Sequence, residues 1–70
     1  MGHQTLLTRQ AVEDITGFRR AFIYQSVKAG TFPRPIRIGQ KSVRWVESEV
    51  REWIEDRIRE DRERSDLAGG

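Results

Sequence analysis

The segment "GTFPRP", residues 30–35, constrains the fold of this chain more than any other feature. Pro33 and Pro35 each remove a backbone donor and disfavour helix in the preceding residue, so no helix runs through the segment. Gly30 is the residue type that most readily adopts the left-handed conformation that ends a helix. The segment is therefore predicted to be a stiff connector between a helical part and a different structure, with Phe32 as its apolar anchor.

The first helix is predicted over about residues 9–16. Thr8 is a good N-cap, the apolar residues after it have helical spacing, and Gly17 ends the run. Leu7 precedes the cap, where it can pack on Val12 as a hydrophobic staple. The pattern predicts a short amphipathic helix.

The second helix is predicted over "RRAFIYQSVKA", residues 19–29. Ile23 and Val27 form its buried stripe, Phe18 anchors its start, and Gly30 ends it. Two short helices joined by a tight glycine-containing turn make a helix-turn-helix.

Beyond the prolines, "IRI" and "VRW" alternate apolar and basic residues around "GQKS". This pattern predicts a strand, a four-residue turn and a second strand. A two-stranded hairpin is marginal alone, so its apolar face is expected to pack on the helices. That face would carry Ile36, Ile38, Val43 and Trp45, and the opposite face would carry Arg37 and Arg44.

A third helix is predicted from about Glu47, with acids in its first turn. Its apolar stripe contains Val50, Trp53, Ile54 and Ile58, and both tryptophans are assigned to the core. Beyond the stripe, Glu55 with Arg59 and Glu60 with Arg64 have the i, i+4 spacing of a solvated helical extension.

The expected organisation is a disordered N-terminus (1–5), one winged helix-turn-helix domain (6–60) and a charged helical extension that frays into a flexible tail (61–70). The fold class is mainly α with a small β-hairpin. The extension lacks a sustained heptad, so a monomer is expected in solution, with side-by-side assembly on adjacent DNA sites as an option.

Charge is segregated along the chain although its net value is only +2. Residues 15–46 carry seven bases and no acid, whereas residues 47–70 carry nine acids against five bases. Such segregation favours a polyanionic partner. The alternative is an arginine-rich surface that provides only solubility.

Enzyme chemistry has little support in seventy residues without cysteine. Neither a thiol nucleophile nor a thiolate zinc site can form, and a chain this short has no room for a deep cleft. The one histidine, His3, lies near the terminus, so no serine in the expected folded part has a histidine to activate it. The prediction is no catalytic residue, no metal and no cofactor. With no apolar run of roughly 18 residues, the chain is expected to be soluble and cytoplasmic.

The second helix is the expected recognition helix, which enters the major groove. Gln25 is the best candidate for an adenine contact and Lys28 for a phosphate contact. Arg19 and Arg20 could bind phosphate or guanine. Tyr24 lies at the core edge or on phosphate. The predicted recognition-helix residues are Arg19, Arg20, Ala21, Phe22, Tyr24, Gln25 and Lys28.

The hairpin is expected to extend this surface as a wing along the phosphates or in the minor groove. Its predicted DNA-binding residues are Arg34, Arg37, Lys41, Ser42 and Arg44. A second hypothesis is an adaptor, in which Phe22 and the tryptophan-bearing surfaces bind an integrase or RNA polymerase.

Several short motifs occur in a specific order between about Leu6 and Ile58. They are "TG" before the second helix, "IY" within it, "GTFPRP" after it, "IG" at the hairpin turn, and "RW" followed by "SEVREW". In this order the chain resembles the AlpA-like phage regulatory proteins, small winged helix-turn-helix proteins related to excisionases and to the MerR DNA-binding domain.

The resemblance implies a DNA-binding transcriptional regulator of a prophage or mobile element, on the bacterial nucleoid, or an excisionase-like factor that recruits an integrase. The family pattern also carries the arginine at Arg20 and the tyrosine at Tyr24, and commonly an arginine where Gln25 stands. It has serine at the positions of Arg19 and Ala21 and threonine at that of Phe22. The resemblance therefore implies no particular operator sequence.

Overall fold

The computed structural model describes the backbone of residues 4–67 and the side chains of residues 4–64. That part of the chain forms three helices and three short strands. They are β1 (Leu6–Leu7), α1 (Arg9–Thr16), α2 (Arg20–Ala29), β2 (Ile36–Arg37), β3 (Val43–Val46) and α3 (Glu47–Leu67). The predicted fold class, mainly α with a wing-like β-hairpin in a winged helix-turn-helix, is confirmed.

Capping groups fix both ends of α1. Thr8 Oγ1 accepts a hydrogen bond from the Ala11 N–H at 3.1 Å. Gly17 has left-handed backbone with φ 77°, and its N–H donates to the Glu13 carbonyl at 2.7 Å. The predicted cap and both predicted boundaries are therefore confirmed, and Gly17 turns the chain toward α2.

The end of α2 has the hydrogen bonds of a Schellman motif. Gly30 has φ 80° and donates its N–H to the Val27 carbonyl at 3.1 Å. The Thr31 N–H donates to the Ser26 carbonyl at 2.9 Å. The predicted role of Gly30 is confirmed, and the anchor Phe32 is buried as predicted.

A third strand, which the sequence pattern did not predict, completes the sheet. Strand β1 pairs antiparallel with β3, giving the order β1-β3-β2, and Leu7 lies opposite Trp45. The Glu47 N–H donates to the Thr5 carbonyl at 2.8 Å, which continues the pairing. Of the N-terminal segment expected to be disordered, residues 1–3, including His3, lie outside the described residues.

The hairpin register differs from the prediction by one residue. Arg37 lies opposite Val43, and the Ile38 N–H donates to the Ser42 carbonyl at 3.0 Å. The connecting loop is therefore residues 39–41, one residue shorter than the predicted four-residue turn. Because side chains alternate along a strand, this shift moves every side chain of β2 to the other face relative to β3.

The predicted faces of the hairpin are therefore wrong. Trp45 faces the helices and is fully buried, as predicted. Ile36 and Ile38 lie on the outer face with Arg44 and are 41% and 50% exposed. Arg37 shares the inner face, so the two arginines project from opposite faces of the hairpin.

The two tryptophans attach residues 30–35, which we call the proline segment, to the core. Trp45 Nε1 donates to the Pro33 carbonyl at 2.9 Å, and Trp53 Nε1 donates to the Thr31 carbonyl at 2.7 Å. Trp45 is fully buried, whereas Trp53 is half-buried. The buried core consists of Leu7, Val12, Ile23, Phe32, Trp45 and Val50.

Helix α3 begins at Glu47, directly after Val46, the last residue of β3. Its apolar stripe is shorter than predicted, because Val50 is buried and Ile58 is exposed. Ile58 lies two turns further along the helix, beyond the end of the core. Fraying was predicted over "LAGG", residues 67–70. Helix α3 includes Leu67, and residues 68–70 lie outside the described residues.

The charged part of α3 contains i, i+3 ion pairs in place of the predicted i, i+4 pairs. Arg59 pairs with Asp56 at 3.1 Å, and Arg57 is 3.8 Å from Glu60. Both pairs are exposed, so each contributes little to stability.

Candidate nucleic-acid interface

The outer side of α2 is open to solvent. Ile23 is fully buried, and the side of the helix opposite to it is exposed. At 100° per residue, three groups of side chains surround that side. Ala21, Gln25 and Lys28 point outward, Arg20 and Tyr24 lie on one flank, and Phe22 lies on the other.

The N-terminal turn of α2 has no side-chain cap. Arg19 is the N-cap residue in extended conformation, and its side chain makes no capping hydrogen bond. The first backbone N–H groups of a helix have no partner within the helix. Arg19 and Arg20 are both exposed beside these donors. The turn therefore combines backbone donors, the positive end of the helix dipole and two guanidinium groups, which together suit a phosphate.

Tyr24 connects α2 to the sheet. Its ring centroid is 6.1 Å from that of Trp45 in β3, and the ring planes are inclined at 59°. The guanidinium carbon of Arg20 lies 5.9 Å from the Tyr24 ring centroid, within reach of a cation–π interaction. The Arg20 flank of α2 is therefore the flank next to β3 and its hairpin.

The hairpin from Ile36 to Val46, which we call the wing, presents its charges in two directions. Arg37 is exposed and lies on the inner face, the face that carries Trp45. Lys41 and Ser42 are exposed at the tip. Arg44 lies on the outer face, is half-buried, and donates from Nη1 to the Val43 carbonyl at 2.8 Å. Arg37 is thus the wing arginine on the same side as α2.

Two predicted interface residues lie apart from the others. Phe22 is 49% exposed and packs on Phe18 with ring centroids 4.5 Å apart, on the α2 flank away from Tyr24. It lines a recess that also includes Trp53. Arg34 lines a groove along α3, next to Glu49 and other acids.

Among the described side chains, no ion pair neutralises the bases of this candidate surface. The ion pairs among the described side chains involve Arg9, Arg51, Arg57 and Arg59, all on α1 or α3. None of the seven bases of residues 15–46 takes part in these pairs. Their positive field is therefore directed outward, where a polyanion would meet it.

Sequence reasoning assigned Trp45 to the core and missed its second role as support for Tyr24. No local pattern could have indicated this contact, because the two residues belong to different elements that meet only in the folded chain. The hydrogen bond from Trp45 to the Pro33 carbonyl fixes the indole and hence the position of the Tyr24 ring against it.

The described residues contain no group of three or more acidic, histidine or cysteine side chains placed to hold a metal ion. Within the same part of the chain, no helix has the length and apolar character needed to cross a membrane.

Comparison with known proteins gives matches over most of the chain. A family model described as prophage CP4-57 regulatory protein (AlpA) matches residues 5–58. The uncharacterized protein ORF88 of Enterobacteria phage P4 is 38% identical over 47 residues, covering 67% of this chain and 53% of that protein. The DNA-binding transcriptional activator AlpA of Escherichia coli strain K12 is 37% identical over 60 residues, covering 77% of this chain and 86% of that protein. The chain thus spans about half of the phage protein and most of the bacterial one.

Proposed function

Because the chain belongs to the AlpA family of prophage regulatory proteins, we propose that it is a sequence-specific double-stranded DNA-binding protein that regulates transcription of a prophage or mobile element. Helix α2 enters the major groove, and the wing lies on the flanking backbone or in the adjacent minor groove. The protein acts by binding and not by catalysis.

One observation carries this proposal. The Tyr24–Trp45 contact brings the basic flank of α2 beside a wing that carries Arg37 and Lys41, and no described acid pairs with these bases. Two basic elements joined in this way form one surface on which a duplex can make several phosphate contacts.

Some residues of α2 position the helix on the DNA backbone, and others recognise the bases. The uncapped first turn with Arg19 and Arg20 binds a phosphate, which fixes the helix in the groove. Gln25, exposed and pointing outward, pairs with the N6 and N7 atoms of adenine. Lys28, one turn further along, binds phosphate. Tyr24, held against Trp45, borders the contact on the side of the wing.

The test begins with selection of bound sequences from random duplexes, followed by affinity measurements over a range of salt concentrations. Arg20→Ala should weaken binding and lower the slope of log K against log salt by about one, as expected for one lost phosphate contact. Arg62→Ala removes an exposed arginine from α3 and is the matched control. The proposal fails if no sequence is enriched, or if both variants bind like the parent.

An excisionase-like architectural role uses the same surface and predicts a sharp bend in the bound duplex. Measurement of the bend angle on the selected site separates this role from simple operator binding. An integrase or RNA polymerase as partner stays a prediction, as does side-by-side assembly on adjacent sites.

A further inference from the structure

A groove of about 870 Å³ runs between the proline segment and α3. We call it the Trp53 groove. Its apolar lining consists of Pro33, Pro35, Ile36 and Trp53. Ile36 is available there because the hairpin register turns it to the outer face of the sheet, where it is 41% exposed. An exposed isoleucine next to a tryptophan offers a contact for an apolar side chain from outside the protein.

The charged lining of the Trp53 groove is mainly acidic. Glu49, Glu52 and Asp56 line it from one side of α3, at i, i+3 and i+7, and Arg34 is the one base among its lining residues. Glu49 and Glu52 take part in none of the ion pairs among the described side chains, whereas Asp56 pairs with Arg59. The groove therefore repels a polyanion such as DNA and attracts a cation.

Trp53 is held in position before any partner arrives. Its indole N–H is bonded to the Thr31 carbonyl at 2.7 Å. Its ring makes edge-to-face contacts with Phe32 at 4.8 Å and Phe18 at 5.8 Å, and the Arg57 guanidinium carbon lies 5.0 Å from its centroid. A side chain fixed in this way loses little conformational entropy on binding, so its contact area contributes to affinity.

We propose that the Trp53 groove binds a lysine- or arginine-bearing segment of another protein. An apolar side chain of that segment packs on Ile36 and Trp53, and its basic groups face Glu49 and Glu52. This site is separate from the proposed recognition surface of α2, since no residue of α2 lines it and its charge is of the opposite sign. The partner is therefore a protein that the regulator can hold while bound to DNA.

The test uses a short synthetic peptide of lysine, leucine and glycine, titrated into the isotope-labelled 70-residue chain and followed by amide and indole chemical shifts. Saturable shifts are expected at the Trp53 indole and in the proline segment. The variant Glu49→Gln/Glu52→Gln should weaken binding by about fivefold or more, because two charge contacts are lost. The matched control Glu55→Gln/Asp61→Asn removes the same charge from other faces of α3 and should bind the peptide like the parent.

A peptide of lysine and glycine without leucine should bind more weakly, because it lacks the apolar contact. The proposal is overturned if the leucine peptide leaves the Trp53 indole unshifted, or if both double variants lose affinity equally. Concentration-dependent shifts of the same groove without peptide would also overturn it, by assigning the groove to a second copy of the chain. DNA affinity of Glu49→Gln/Glu52→Gln should remain at least that of the parent, so failure here is distinguishable from failure of the DNA-binding proposal.

Discussion

The ring of Tyr24 lies 6.1 Å from that of Trp45, which places an exposed residue of α2 against a fully buried residue of β3. Through this contact the position of α2 depends directly on the packing of the core. A change in the core at Trp45 should therefore alter both stability and the geometry of the surface above it.

The variant Trp45→Phe tests this dependence. It leaves the Pro33 carbonyl without its donor and reduces the buried volume, so the free energy of unfolding should fall by about 1–3 kcal/mol. DNA affinity should fall as well, because Tyr24 loses part of its support. Urea denaturation followed by circular dichroism measures the first effect. Trp53→Phe is the control: it removes a similar hydrogen bond from a half-buried site and should leave DNA affinity unchanged.

The hairpin register predicts that its two arginines are not equivalent. Arg37→Ala, on the inner face that carries Trp45, should weaken DNA binding and lower the salt slope by about one. Arg44→Ala, on the outer face with its guanidinium bonded to the Val43 carbonyl, should change the slope less. Equal effects of the two substitutions would argue against the inner face as the DNA-contacting side.

The two flanks of α2 should also differ. Tyr24→Ala, on the flank of Arg20 and the wing, should weaken DNA binding clearly. Phe22→Ala, on the opposite flank, should cost about 1 kcal/mol of stability through its lost contact with Phe18 and leave DNA affinity nearly unchanged. Parallel denaturation and binding measurements on both variants decide the matter. A large loss of DNA affinity in Phe22→Ala would return this residue to the interface.

Backbone conformation at Gly30 gives a prediction about folding alone. Gly30→Ala should destabilise the protein by about 1 kcal/mol, because φ 80° is unfavourable for an L-residue even though its Cβ would meet no atom within 4 Å. Gly39→Ala is the control, since that backbone is not left-handed and the new Cβ would have only an ordinary contact at 3.7 Å with Ser42. Thermal denaturation of the pair should show a lower melting temperature for Gly30→Ala only.

Local signals in the sequence predicted the helices well, because caps and breakers act over a few residues. Thr8, Gly17 and Gly30 each occupy the helix-cap position that the sequence predicted for them. The sheet was less predictable. Strand β1 has two residues, too few to show the alternation of apolar and polar residues that marks a strand, and its partner β3 is distant in sequence. The faces of the hairpin depend on whether its loop has an odd or even number of residues, which "IGQKSV" leaves undecided.

In the candidate site, too, features set by local helical spacing were predictable and features set by long-range pairing were not. The outward side of α2 could be counted from Ile23, because helical spacing alone determines it. The placement of Arg37 and Arg44 on opposite faces of the hairpin could not be predicted in this way, because it depends on the register of the two strands. Arg34 is next to acids of α3 only because the proline segment folds back on that helix. Phe22 shares a recess with Trp53 only in the folded chain, because the two residues belong to different helices.

Val46 and Glu47 are consecutive residues, so β3 passes into α3 without a hinge. A tilt of α3 must therefore also displace the base of the wing, since no flexible residue lies between them to absorb the movement. If a protein segment bound along α3 shifts this helix, it changes the angle at which the wing meets DNA. Thermodynamic reciprocity then requires the duplex to change the affinity for that segment by the same factor.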